Sequence, residues 1–140
     1  MTNSSKAEFV DTNIIIYAHD AGAGGKFHTA FDLLDRLTAE GIGVLSSQVL
    51  IEFYAVAVRK LRMAADEAEA VLLNLAHWPI HRPDHADLLR ASQLHRRYRI
   101  SWWDSLLINS ALELGCSTLW TEDLQNGQQF GALTVRNPFA

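Results

Sequence analysis

The chain has 140 residues, 49% hydrophobic and 20% charged, which fits one ordinary folded domain and excludes a disordered or low-complexity protein. Sixteen acidic residues against twelve basic ones leave a formal net charge of -4, which excludes holding nucleic acid by a global positive field and leaves only local basic patches for that role. The one cysteine, Cys116, excludes an intrachain disulfide and a cysteine-based zinc framework, and makes a reducing cytoplasm the expected compartment.

Glu8 lies where a signal peptide would need uninterrupted apolar residues, and no later run is long enough to span a bilayer, so no membrane partner is expected. Residues 8 to 10 read as a brief buried strand ending at Asp11, because Asp11-Thr12-Asn13 is a turn-forming cluster. Gly22, Gly24 and Gly25 break the chain; the segment 22–26, Gly-Ala-Gly-Gly-Lys, lacks the spacing of a phosphate-cradling loop and reads as a flexible turn. Phe27, Ala30, Phe31, Leu34 and Leu37 then recur at helical spacing, predicting a helix over 27–40 that stops at Gly41.

Ile42 to Leu45 predicts a second strand, after which Ser46 or Ser47 can cap a helix with Val49, Leu50, Phe53, Val56 and Ala57 on its apolar stripe. A helix over 66–76 follows, and Pro79 to Pro83 reads as a short strand. Asp84 can cap a helix running to about Tyr98, Ser101 opens another through Leu114, and Gly115 ends it. Ser117 to Thr121 predicts a strand whose last turn delivers Asp123, and Leu133 to Arg136 a final strand. This alternation indicates a single α/β domain over residues 1–140, with a mostly parallel sheet covered on both faces. In such sheets ligands bind beyond the carboxyl ends of the strands, where Asp11 and Asp123 fall.

Four acids carry the chemistry: Asp11, Glu52, Asp104 and Asp123, each beside apolar residues where a lone carboxylate is costly to keep ionised. Separately each has a bland explanation. Asp11 can make an Asx turn, Glu52 can pair with an arginine, Asp104 can complete a capping box with Ser101, and Asp123 can cap a short turn or yield its place to Glu122. Those explanations leave it unexplained that strand-end, helix-stripe and helix-start acids should all face one sheet edge. Clustered carboxylates repel unless a cation compensates, and an oxygen-only set suits Mg²⁺ or Mn²⁺ better than zinc.

The six histidines are dispersed; His81 and His85 are four apart, but Pro83 between them prevents one shared helix face. Ser101 and Ser105 lack a nucleophile elbow. Arg96, Arg97 and Arg99, interleaved with Tyr98, form a candidate phosphate-contact cluster before the Asp104 helix, although cations there also suit a helix C-terminus. Arg59, Lys60 and Arg62 form a second such group with the same two readings.

Taken together, Asp11-Thr12-Asn13, the helical Glu52, Trp-Asp-Ser-Leu-Leu from Trp103 and Leu-Trp-Thr-Glu-Asp-Leu from Leu119 resemble the PIN-domain ribonucleases. The size is similar to the VapC-type toxins of type II toxin-antitoxin systems. The resemblance spans essentially the whole chain, and its specificity lies in the order and spacing of the acids. It implies a three-layer α/β/α domain with a five-stranded parallel sheet, cleavage of RNA with one or two Mg²⁺ or Mn²⁺ ions, a homodimer, and inhibition by a cognate antitoxin protein. By the same resemblance Asp11, Glu52, Asp104 and Asp123 are the catalytic and metal-binding acids, and Asn13 and Thr121 support them. Asn126 departs from the pattern, since related segments often carry an acid there. Two other classes compete: a non-catalytic PIN-like binding module, and a haloacid-dehalogenase-like phosphatase, which would need an acid at the position of Asn13. A receiver-like domain would need an acidic pair and a late lysine that are not found.

Overall fold

The computed structural model describes residues 6–140. Strand β1 (Glu8–Val10) runs into helix α1 (Thr12–Ala18), and after a 3₁₀ turn at Ala21–Ala23 come α2 (Gly25–Glu40), β2 (Gly43–Ser46) and α3 (Ser47–Arg59). The chain continues through α4 (Ala65–Leu75), β3 (Ile80–His81), α5 (His85–Tyr98), α6 (Trp102–Glu113) and β4 (Thr118–Trp120), and ends with β5 (Gln129–Phe130) and β6 (Leu133–Arg136). The sheet order is β3-β2-β1-β4-β6-β5. Five strands are parallel, as expected, and a sixth is added: β5 pairs antiparallel with β6, with Phe130 opposite Leu133.

Chain order reverses direction across the sheet between β1 and β4, which are neighbours joined from Glu8–Thr118 to Val10–Trp120. On one side the chain proceeds to β2 and β3, and on the other to β6. A crevice therefore opens at the carboxyl ends of these two central strands, the usual ligand position in such sheets. Val10 leads to Asp11 and Trp120 to Thr121; the Asp11 amide donates to the Trp120 carbonyl at 3.0 Å, carrying the ladder one residue past the strands.

Helix α1 is the main departure from the sequence expectation, which ends the strand in a turn. Asp11 is instead the helix N-cap, its side chain accepting from the Thr12 amide. Ile14, Ile15 and Ile16 are buried; β-branched residues are indifferent helix formers, so burial against α2 and α3 decides the conformation over propensity. Helix α2 starts two residues earlier than the apolar spacing predicts. It buries Ala30, Leu33 and Leu37 while Phe31 is largely exposed. Gly41 ends it at φ 69°, returning its amide to the Leu37 and Thr38 carbonyls, a left-handed stop that glycine adopts without a Cβ penalty.

In α3, Val49, Phe53 and Ala57 fall on one face and are fully buried. Ser46 occupies the N-cap position as expected but makes no capping bond, and its Oγ is buried without a partner. Helix α6 is the most enclosed, with every residue from Ser105 to Ala111 buried; it lies against α5 and the sheet. Gly43 is required by packing, since a Cβ there would meet the Trp78 ring at 2.6 Å. Burial, with the Glu8 carboxylate adding, pushes the Cys116 thiol up to about 12. Among the described residues no helix is long and apolar enough to cross a membrane.

Candidate active site

Asp11 sits at the floor of the crevice and is 5% exposed. One carboxylate oxygen accepts from the Thr12 amide at 2.6 Å, the other from the Thr121 hydroxyl at 2.8 Å. The same Thr121 Oγ1 accepts from the Asp123 amide at 3.1 Å, so one hydroxyl ties the end of β1 to the loop after β4. Asn13, in the first turn of α1, donates its side-chain amide to Asp123 at 3.4 Å. Thr12 donates its hydroxyl to Glu52 of α3 at 3.2 Å. The N-terminal turn of α1 thus reaches one acid on each side of Asp11.

Asp104 lies in the first turn of α6, half-buried. Half of the expected capping box forms: Ser101 Oγ accepts from the Asp104 amide at 3.0 Å. No hydrogen bond from the Ser101 amide to the Asp104 carboxylate accompanies it among the described residues.

Electrostatics bind three of the four acids together. Burial pushes the Asp11 carboxyl up to about 7; the Thr121 and Thr12 hydrogen bonds oppose the rise, and repulsion from Asp123 and Asp104 adds to it. Asp104 is also raised, chiefly by burial, with the Ser101 hydroxyl pulling it back and Asp123 repelling it. Glu122 belongs elsewhere. It accepts from Tyr17 at 2.5 Å and from Lys26 at 2.8 Å, and although burial works against it, these two partners hold its carboxyl below the usual range. Asp123 rather than Glu122 therefore faces Asp11.

A hard divalent cation matches these donors, which are oxygens throughout, and compensates the repulsion felt by Asp11. Among the described residues no three acidic, imidazole or thiol side chains are grouped so as to hold a metal ion. Asp11, Asp104 and Asp123 are linked instead by mutual repulsion, and Glu52 reaches the same helix turn through Thr12.

Arg96, Arg97 and Arg99 are exposed at the end of α5, and none pairs with the four acids among the described ion pairs. Arg97 stacks over Tyr98 with its guanidinium carbon 5.1 Å from the ring centroid. A basic residue that the sequence assigns only to a flexible turn meets the acidic loop: Lys26, at the start of α2, reaches Glu122 and sits over the Tyr17 and Phe139 rings. The spacing of Lys26 from the acids gave no signal, because it depends on how α2 returns past α1.

Also unanticipated is a polar cluster behind the site. Asp87 is 3% exposed and accepts from the Asp84 amide at 2.8 Å, from Asn109 at 3.0 Å and from Arg90 at 2.8 Å. His81 joins it to Ser110, with Nε2 at 3.3 Å from Asp87 and Nδ1 at 2.8 Å from the Ser110 hydroxyl. This serine–histidine–aspartate sequence is no nucleophilic triad, because Ser110 is fully buried. The remaining histidines stay dispersed, as expected.

A PIN domain family model matches residues 9–126, and the chain belongs to the PIN-domain family. A search of curated proteins gave no match. Among solved structures, a toxin-antitoxin complex from Klebsiella pneumoniae is similar at 18% identity and TM-score 0.68, with 95% of this chain and 98% of that chain covered. The sarcin-ricin-loop-cleaving toxin VapC20 of Mycobacterium tuberculosis is similar at 20% identity and TM-score 0.67, covering 84% and 92% of the two chains. DNA-bound VapBC from Salmonella typhimurium is similar at 15% identity and TM-score 0.68, covering 96% and 99%. At these identities the likeness concerns the fold.

Proposed function

We propose that this PIN domain is a divalent-metal-dependent endoribonuclease and the toxin of a type II toxin-antitoxin pair. The observation that carries the reading is the buried Asp11, raised to about 7 with Asp123 and Asp104 both repelling it, at the crevice between β1 and β4. Burial is the largest cause of the rise and two nearby acids add to it, the combination that marks candidate functional carboxylates. The phosphatase alternative loses its footing with membership of the PIN family, and Asn13 stands where that chemistry needs an acid.

In this reading Asp11, Asp104 and Asp123 hold Mg²⁺ or Mn²⁺. When bound, the ion supplies Lewis acidity toward the phosphodiester and makes water a competent nucleophile near neutral pH. Thr121 fixes the Asp11 carboxylate by donating to it and fixes the Asp123 backbone by accepting from it. Glu52, oriented by Thr12, is positioned to align the attacking water and accept its proton. Asn13 holds Asp123 toward the site. Arg96, Arg97 and Arg99 are assigned to the RNA backbone, supplying the local positive charge that the whole chain lacks.

The partners proposed are RNA, a second copy of the chain and a cognate antitoxin, all in the cytoplasm; the toxin-antitoxin character of the similar structures supports the antitoxin. The test is cleavage of RNA by the purified chain with Mg²⁺ or Mn²⁺, with ends mapped by sequencing after induced expression. Cleavage that persists in excess chelator, or in Asp11→Asn at the wild-type rate, would falsify the metal-site mechanism.

A further inference from the structure

The loop between β4 and β5, residues 121–128, delivers Asp123 without a strand or helix ladder to fix it, so side chains must offset the entropy of holding one conformation. Two of its holds belong to the site already described. Thr121 Oγ1 takes the Asp123 amide, and Asn13 reaches the exposed Asp123 carboxylate through a long bond of 3.4 Å. The others come from outside the site. Asn126 Oδ1 accepts from the Asn137 amide at 2.9 Å, and the Gly127 amide donates to the Val135 carbonyl at 2.8 Å. Residues 137–139, leaving β6, are thereby tied to the far end of the loop.

A turn then brings that segment back to the near end. Asn137 Oδ1 accepts from the Phe139 amide at 2.9 Å, and the Phe139 ring stands edge-on to Tyr17, with centroids 5.3 Å apart at 89°. Lys26 Nζ lies over both rings, 4.9 Å from the Tyr17 centroid and 5.2 Å from that of Phe139. Tyr17 and Lys26 both donate to Glu122, the chain neighbour of Asp123. Tyr17 follows Asn13 by one turn of α1, so one face of that helix grips two consecutive loop residues, and Phe139 buttresses the ring that makes one of the grips.

We propose that Phe139 is a positioning residue for Asp123: the segment 137–139 straps both ends of the β4–β5 loop and sets the angle at which Asp123 faces Asp11. The inference rests on the endoribonuclease reading and adds to it a residue that acts only through the loop. Substitution of Glu122 by glutamine leaves an acceptor for the Tyr17 hydroxyl, so the strap is tested at Phe139.

The test pairs kinetics with amide exchange at matched folded concentration. Phe139→Ala lowers kcat by about 10-fold with KM unchanged, inside the loss of up to ~100-fold that a misplacement of about 1 Å brings, and Phe139→Tyr keeps most of the wild-type rate. In an Asp123→Asn background the same Phe139→Ala change lowers the residual kcat by less than about 2-fold, because the group it positions is already gone. Hydrogen exchange in chelator and without RNA reads the strap apart from the chemistry. Phe139→Ala speeds exchange of the Asp123, Gly127 and Asn137 amides by about 10-fold and leaves the β1 and β2 amides at their wild-type rates. A wild-type kcat in Phe139→Ala overturns the proposal, as does an undiminished loss in the Asp123→Asn background or exchange that accelerates equally in β1 and β2. If wild type cuts no RNA while the exchange result holds, the nuclease reading fails and the strap stands; cleavage by wild type that Phe139→Ala leaves unchanged does the reverse.

Discussion

Asp11 and Asp87 are carboxylates buried to nearly the same depth, at 5% and 3% exposure, yet their surroundings drive them in opposite directions. Asp11 receives two hydrogen bonds and looks toward two further acids. Asp87 is also penalised by burial, but the Asp84 amide, Asn109 and Arg90 outweigh that and hold its carboxyl far below the usual range. Burial alone therefore says little about purpose. The balance of donors and like charges separates a carboxylate that ties helices together from one left raised among other acids.

The largest effect expected from this contrast is on activity. Asp11→Asn lowers kcat by about 100-fold or more, the scale for removing one preorganised charged contact in an active site, while Asp87→Asn retains a measurable share among the molecules that fold. Metal-dependent cleavage assays at matched folded concentration check both, and an equally inactive Asp87→Asn would break the contrast.

Stability should change in the other direction. Asp87→Ala strands Asn109 and the Asp84 amide and costs about 3 kcal/mol in denaturant unfolding, less any part due to Arg90, whose side chain is 44% exposed. Asp11→Asn removes an ionisation cost and raises stability in chelator, by on the order of 3 kcal/mol above pH 7.

The pH dependence carries the sign. A carboxyl raised from 3.8 to about 7 keeps its proton in the fold while the unfolded chain loses it. Its favourable contribution is complete below about pH 4 and is lost as pH rises through 7. The lowered Asp87 contributes above its unfolded value and loses that contribution as pH falls below about 4. The gap between Asp11→Asn and wild type should therefore widen from pH 4 to 7 and then level off; a gap that narrows over that range overturns the raised value. The smallest effect belongs to Glu122→Gln, which weakens a solvent-screened pair with Lys26 and leaves cleavage close to wild type. A loss of activity as large as that of Asp11→Asn would return Glu122 to the site.

The acids at the sheet edge were legible because each stands at a local transition: Asp11 follows an apolar strand, Asp104 opens a helix, and Asp123 follows another strand. Their order carried the family. Asp87 was not legible as a buried group, although its spacing from Asp84 fits a capping box, because Asn109 and Arg90 meet it only through the packing of α5 on α6. Helix α1 was missed because Asp-Thr-Asn serves a turn and an N-cap equally well, and three consecutive isoleucines show no helical period. β5 was missed because two residues carry no alternation, and its pairing with β6 is a tertiary fact. Gly43 reads as an ordinary strand glycine until Trp78 is found across it.

The buried Cys116 has a practical consequence. With its thiol pushed up to about 12, almost none is present as the reactive thiolate near neutral pH, so the chain is chemically silent to maleimide reagents while folded. A cysteine introduced at exposed Leu89 would then be labelled alone, giving a single reporter dye on α5 without first replacing Cys116.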